Sequence, residues 1–294
     1  MLVQKYFESR QKILEDNLHK YIDTIEDAHP KLKKTVNHVL YAEGMRWYPI
    51  MVFAVHEMLR GKKNVNTLSP VIPCACALEM VHKAMVIHSS LPNLNDVDFF
   101  YEKKSAHLEF DPATAILAGD SLITMSYGVL AEISDKKKAI QCIRTISRTL
   151  SSHGYIGGEA VDQISIKKNI RINVLKYIYM KKMGSLLQAG TEMACIINGT
   201  EENLMITLGN FAMNIGLAYY IVNDILGDIG SVDDEEQELR IKRKNKADYP
   251  GLIGLEKSKK TAEKLLNDSA RMIKNMPHNE VLMEFVHIIK DRLP

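Results

Sequence analysis

The sequence predicts an all-α protein, and three observations carry that reading. Glycine (16) and proline (9) are sparse for a chain of 294 residues, so turns are few. Apolar residues recur at three-to-four spacing through most of the chain, the period of an amphipathic helix. No segment alternates apolar and polar residues convincingly, as a half-buried strand would.

The elements follow in order. Val3, Phe7, Ile13, Leu14, Leu18, Tyr21, Ile22 and Ile25 define one face of a helix over 3–28, which Pro30 ends. A short helix covers 31–42. After Pro49 an apolar run to Leu59, closed by Gly61, gives a third. Residues 71–90 read as a long buried helix. Residues 91–110 form the first real loop, where Pro92, Asn93, Asn95, Asp96 and Asp98 cluster. Asp111 is a natural N-cap and Pro112 a natural first-turn residue, so a helix runs over 112–132. Further helices fit 136–152, 158–167, 170–197, 202–229 and 257–274, with a last one near 278–292. Residues 233–246 are acidic and then basic, which reads as a solvated loop or frayed helix and only secondarily as a lid. No linker divides the chain, so residues 1–294 read as a single domain.

Composition excludes several classes of function. A net charge of +2 gives no footprint for nucleic acid. Cys74, Cys76, Cys142 and Cys195 form no CxxC pair and read as buried apolar residues of a reducing compartment. The N-terminus shows no signal-peptide core because charges recur every few residues, so a cytoplasmic location is expected. Asn203–Asn223 is uncharged over 21 residues, the length of a membrane span. Thr207, Asn210, Asn214 and two glycines interrupt it, and it reads as a buried bundle helix rather than a span.

Several segments, taken in order, resemble the trans-isoprenyl diphosphate synthases, the polyprenyl synthetase family. They are ALEMVHKAMVIH (77–88) followed by SSLPNLND, ATAILAGDSLIT (113–124), GYIGGEAVD (154–162), KMGSLLQAG (182–190), GLAYYIVNDIL (216–226) and KADYPGLIGLE (246–256). The resemblance implies a bundle of long antiparallel helices around a central apolar cavity, usually dimeric. It also implies a prenyltransferase chemistry that joins isopentenyl diphosphate to an allylic diphosphate. In that chemistry pyrophosphate leaves an allylic carbon, its charge neutralised by about three Mg²⁺ ions held on two aspartate-rich motifs. Basic residues clamp the diphosphates.

Against that pattern the metal-ligand positions are degenerate. The first motif, two adjacent aspartates and a third after four residues, falls on Ser89, Ser90 and Asn95. The second falls on Asn223, Asp224 and Gly227, where only Asp224 matches. Asp224 and Asp228 make an i,i+4 pair that is rotated about 100° from the expected face. Asp96 and Asp98 are the remaining acids near the first motif. Among the clamps, Arg46, His82, Lys182 and Lys246 match, while Glu43, Met45, Tyr48, Phe100 and Tyr101 stand where the pattern expects other residues, four of them cations. Glu159 and Asp162 take the places of a glutamine and an aspartate facing the cavity. Ala84 and Met85, with Lys83 just beyond, occupy the positions expected to set cavity depth.

Three readings follow. The chain is a homologue weak or inactive in elongation, and a modulating subunit of an active synthase. Alternatively, it is an active prenyltransferase or terpene-forming enzyme whose metals are held by Asp224, Asp228, Asp96 and Asp98. The third is a non-catalytic protein that binds an isoprenoid. The expected partners are an isoprenoid diphosphate or apolar isoprenoid, and a second subunit in a homodimer or a heterodimer with an active synthase. Mg²⁺ is expected to bind weakly or not at all in the non-catalytic case.

Overall fold

A computed structural model describes residues 2–23, 27–42, 44–61, 67–100, 103–230 and 246–294. The described residues are mainly helical. In order the helices are α1 (Leu2–Asp23), α2 (Pro30–Leu40), α3 (Trp47–Arg60), α4 (Ile72–Ser90), α5 (Ala106–Glu109), α6 (Pro112–Ala131), α7 (Lys136–Leu150) and α8 (Tyr155–Ile164). They continue as α9 (Ile172–Tyr179), α10 (Ser185–Asn198), α11 (Glu202–Asp228), α12 (Tyr249–Ile253), α13 (Leu255–Ile273) and α14 (Glu280–Lys290).

The ends form where the side chains dictate. Asp111 caps α6 by accepting the Thr114 N–H, with Pro112 in the first turn, where its missing N–H costs nothing. Asp135 caps α7 through the N–H groups of Lys137 and Lys138. Gly61 and Gly199 end α3 and α10 with φ of +65° and +66°, a conformation only glycine adopts without strain.

Several boundaries differ from the sequence expectation. α3 begins at Trp47, ahead of Pro49, because proline is compatible with a first helical turn. α8 begins at Tyr155 rather than 158 and runs through Gly157 and Gly158. A Cβ on Gly158 would lie 2.6 Å from Lys181 Cβ, so this glycine serves a close crossing rather than a turn. The helix expected over 170–197 is interrupted by a π-turn at Met180–Gly184, which divides α9 from α10. The loop 91–110 contains a two-residue hairpin, β1 (Phe99–Phe100) paired antiparallel with β2 (Lys103–Lys104), and the single turn of α5. The short α12 was not expected.

The core runs through α4, α10 and α11. α4 is apolar on nearly all sides and packs on α3 and α6, while α11 packs on α10 and α13. Three stretches, Ser69–Ser90, Pro112–Ala131 and Glu202–Asp228, are long and apolar enough to cross a membrane by length and composition. Glu202–Asp228, which contains the uncharged run, buries Leu208, Phe211, Ile215, Ile221 and Ile225 inside the bundle. Pro112–Ala131 differs: 39% of its most apolar window is buried, and Ile116 and Leu117 are exposed on its outer face.

Gly216 of α11 crosses the π-turn at Gly184, where an added Cβ would lie 2.7 Å from Gly184 Cα. Gly216→Ala should therefore lower stability by about 1–3 kcal/mol through forced separation of two backbones. Gly128→Ala, in open space on α6, should raise it by about 0.5–1 kcal/mol. Urea denaturation of the two variants checks this opposite-sign pair.

Candidate functional site

The site assembles from four segments distant in sequence. Helix α8 presents Glu159 and Asp162 one turn apart, with Gln163 four residues after Glu159 and therefore beside it. The π-turn presents Lys182. The loop following α4 brings Asn95, and the segment leading into α12 brings Lys246.

These groups pair with one another. Lys182 Nζ lies 2.7 Å from Glu159 Oε2 and 3.0 Å from Asp162 Oδ2. Lys246 Nζ lies 2.8 Å from the same Asp162 oxygen and donates to Asn95 Oδ1 at 2.7 Å. Asn95 Nδ2 donates to the Ser89 carbonyl at 2.9 Å and to Glu159 Oε1 at 3.4 Å. Gln163 Nε2 donates to Glu159 Oε1 at 3.0 Å and to Asn95 Oδ1 at 3.3 Å. Two ammonium groups thus face two carboxylates, and both amides donate to Glu159 Oε1. Burial alone would raise the Glu159 pKa, but Lys182 and the Gln163 amide overcome it and hold the carboxyl below its ordinary value. Burial likewise works against the Lys182 ammonium, and its surroundings of Tyr155, Asp162, Tyr220 and Glu159 hold its pKa above the ordinary range.

The degenerate ligand positions are engaged elsewhere or carry no carboxylate. Both serine hydroxyls donate back to the Val86 carbonyl of their own helix, Ser89 at 3.2 Å and Ser90 at 2.7 Å. Asp224 Oδ2 accepts the Tyr179 hydroxyl at 2.6 Å and the Tyr249 backbone N–H at 3.0 Å, tying α11 to α9 and α12. Asp228 is exposed at the end of α11, with Asn223 half-buried and Gly227 buried. Asp96 is exposed with φ +49°, and the Asp98 carbonyl accepts the Ser105 N–H beside the hairpin. The structure does not bring these four aspartates together. Among the described residues, no three or more His, Cys, Asp or Glu side chains converge as a metal centre. The residues present do not fit a multi-Mg²⁺ cluster, because Glu159 and Asp162, the neighbouring carboxylates of α8, already hold lysines and Ser89, Ser90, Asn95, Asn223 and Gly227 supply none.

A second buried cluster lies on α4. Glu79 is fully buried and forms an ion pair with Arg46, whose guanidinium also donates to the Leu40 carbonyl at 3.0 Å. His82 Nδ1 lies 3.5 Å from Glu79, and Tyr48 packs on the His82 ring at 4.6 Å. Lys83 is 1% exposed; its Nζ donates to the Ala42 carbonyl at 3.1 Å, sits 3.9 Å from Glu79 and lies over the Phe100 ring. Burial would raise the Glu79 pKa, but Arg46, His82 and Lys83 hold it well below the carboxylate range. Burial, reinforced by Arg46 and Lys103 against the pull of Glu79, pushes the Lys83 pKa down to about 7. Ala84 and Met85, the expected depth-setting positions, are buried in the core, and Met45 is exposed. Glu43, Tyr101 and residues 233–245 of the charged segment lie outside the described residues.

Gln163 and Glu79 belong to these clusters without having been singled out from sequence. Their spacing was legible: Gln163 stands at i+4 from Glu159, and Glu79 at i−3 from His82. The Tyr179–Asp224 bond had no sequence signal, because it spans 45 residues.

Comparison with known proteins decides the family. The Polyprenyl synthetase family model matches residues 29–289. The chain belongs to the polyprenyl synthetase family. It is 29% identical to a farnesyl diphosphate synthase of Geobacillus stearothermophilus, covering 93% of this chain and 92% of that protein. It is 30% identical to a geranylgeranyl diphosphate synthase of Cyanophora paradoxa, over 91% of this chain and 89% of that one. A crystal structure of an FPP/GFPP synthase from Zymomonas mobilis superposes with a TM-score of 0.86, covering 98% of both chains at 21% identity, which speaks to the fold alone. The polyprenyl synthetase resemblance and the all-α class expected from the sequence both hold.

Lys83 generates a pH prediction. Its folded pKa, about 7, lies below its ordinary 10.5, so between those values the unfolded chain holds a proton that the folded chain does not. Stability from this group therefore rises with pH across that window and is lowest at and below pH 7. Lys83→Met should melt about 2–4 °C above wild type at pH 7. The gap should close toward pH 9; thermal melts of both proteins across pH 7–9 check it.

Proposed function

We propose that this polyprenyl synthetase family member is attenuated in chain elongation and acts as an isoprenoid-binding or modulating subunit. The observation that carries the reading is the position of Lys246 Nζ, between Asn95 and Asp162 at 2.7 and 2.8 Å. Both lysines that resemble the family's diphosphate clamps are held by the chain's own carboxylates. A diphosphate must break those ion pairs to bind, without the metal charge that aspartates would have collected. By analogy with losing a preorganised electrostatic donor, each missing ligand costs about 10²–10³ in rate.

The site supports this reading over an active enzyme with relocated metals, because Asp224 is engaged by Tyr179 and Tyr249 and lies apart from Asp96 and Asp98. Isothermal calorimetry with Mg²⁺ and pyrophosphate should give weak binding. An assay with dimethylallyl, geranyl or farnesyl diphosphate plus isopentenyl diphosphate should give little elongation. Restoring charge with S89D, S90D, N95D, N223D and G227D should create metal-dependent pyrophosphate binding. Adding E159Q should strengthen it, since an aspartate at 95 would otherwise face Glu159. Elongation should stay poor in the repaired protein because Met45, Tyr48 and Phe100 still lack the expected charge. Tight multi-metal binding and efficient elongation by the wild type would overturn the proposal.

The second subunit is read from α6. Ile116 and Leu117 stand exposed on an outer face that also carries half-buried Ile123 and Tyr127, with exposed Asp120 and Thr124 among them. This face supports a dimer, either with a second copy or with an intact synthase. Light scattering should give twice the chain mass for the protein alone or, on mixing, one mass for the pair. Leu117→Glu should return the single-chain mass in both cases.

A further inference from the structure

Between Asp162 and Glu192 the sequence contains six cations, Lys167, Lys168, Arg171, Lys176, Lys181 and Lys182, and no Asp or Glu. The whole chain carries only +2, so this concentration is a local departure from the average. Lys182 turns inward to the site. Lys167, Lys168, Arg171 and Lys176 are exposed, and Lys181 Nζ lies over the Tyr177 ring at 5.6 Å.

The structure sets Lys167, Lys168 and Arg171 in the turn between α8 and α9, the α8–α9 tip, with Lys176 about one helical turn into α9. α8 ends at Ile164, α9 starts at Ile172, and 165–171 turns between them with Lys167 at φ +58°. Apolar side chains are set among the cations. Ile164 is 64% exposed, the most exposed large apolar residue among those described; Tyr177 is also exposed, and Ile166 and Ile170 are half-buried. Burial in this fold does not account for Ile164, which stands exposed at the end of α8 beside the basic turn.

We infer that the α8–α9 tip is a docking surface for an anionic lipid bilayer. Cations without interspersed acids draw the tip to a negative headgroup layer, and Ile164 and Tyr177 suit the boundary between headgroups and acyl chains. A nucleic acid would answer the charges and leave the isoleucines in water. The helix bearing Ile164 also bears Glu159 and Asp162, so docking would set the candidate site close to the bilayer surface.

The test is co-sedimentation of the full chain with vesicles of phosphatidylcholine alone and of phosphatidylcholine with about 30% phosphatidylglycerol, in about 0.1 M salt. Binding to the anionic vesicles should be at least 10-fold tighter and should weaken as salt rises. The K167Q/K168Q/R171Q variant should lose about 100-fold in affinity. I164S should lose about 10-fold, through lost apolar insertion. All four side chains are solvent-exposed, so the variants should melt with the wild type. Equal binding to both vesicle types, no vesicle binding, or unchanged binding by the triple variant would each overturn the inference. So would tight binding of a single-stranded oligonucleotide without vesicle binding. The measurement contains no isoprenoid, pyrophosphate or metal, so its outcome is separable from that of the proposed function.

Discussion

One carboxylate oxygen, Asp162 Oδ2, is shared by two ammonium groups that reach it from different parts of the chain. Lys182 comes from the π-turn ahead of α10 and Lys246 from the segment ahead of α12, so the contact ties α8, α9–α10 and the C-terminal helices at one point. Burying three charges is costly unless each is paired and the remaining valences are filled. Glu159 supplies the fourth charge, the Asn95 and Gln163 amides donate to its Oε1, and Asn95 Oδ1 accepts from Lys246. Losing any one partner leaves an uncompensated charge in the interior, so the arrangement holds as a unit.

The pairing of Asn95 with Glu159 bears on how the site came to differ from the family pattern. The resemblance places an aspartate at 95 and a glutamine at 159. Here amide and acid have exchanged sides, and the two still touch at 3.4 Å. The carboxylate of this pair stands on α8, where it faces Lys182 at 2.7 Å. Fold and chemistry are separable, and the framework supports sites of altered character.

The cluster on α4 follows the same electrostatic logic in a more apolar setting. Glu79 is tolerated with no exposure because Arg46 pairs with it and His82 and Lys83 stand close. Arg46 takes a left-handed backbone conformation at the start of α3, φ +51°, a strain held in place by its bonds to Glu79 and Leu40. Here too the cation that resembles a diphosphate clamp is committed to an internal partner.

Much of this protein was legible in its residues taken in order. The helical period, the Asp111–Pro112 start of α6 and the closing glycines of α3 and α10 are local signals, and local physics suffices for them. The family resemblance likewise rests on short segments at readable spacing, which also marked Arg46, His82, Glu159, Asp162, Lys182 and Lys246 as the polar groups of interest. The π-turn at 180–184, the passage of α8 through its glycines and the engagement of Asp224 by Tyr179 were decided by helices crossing at close range. Above all, sequence presented Lys182 and Lys246 as groups awaiting a ligand, and the tertiary structure gave them to Glu159 and Asp162. Whether a buried charge is available depends on which opposite charge the fold delivers within about 3 Å of it, and no spacing along the chain contains that distance.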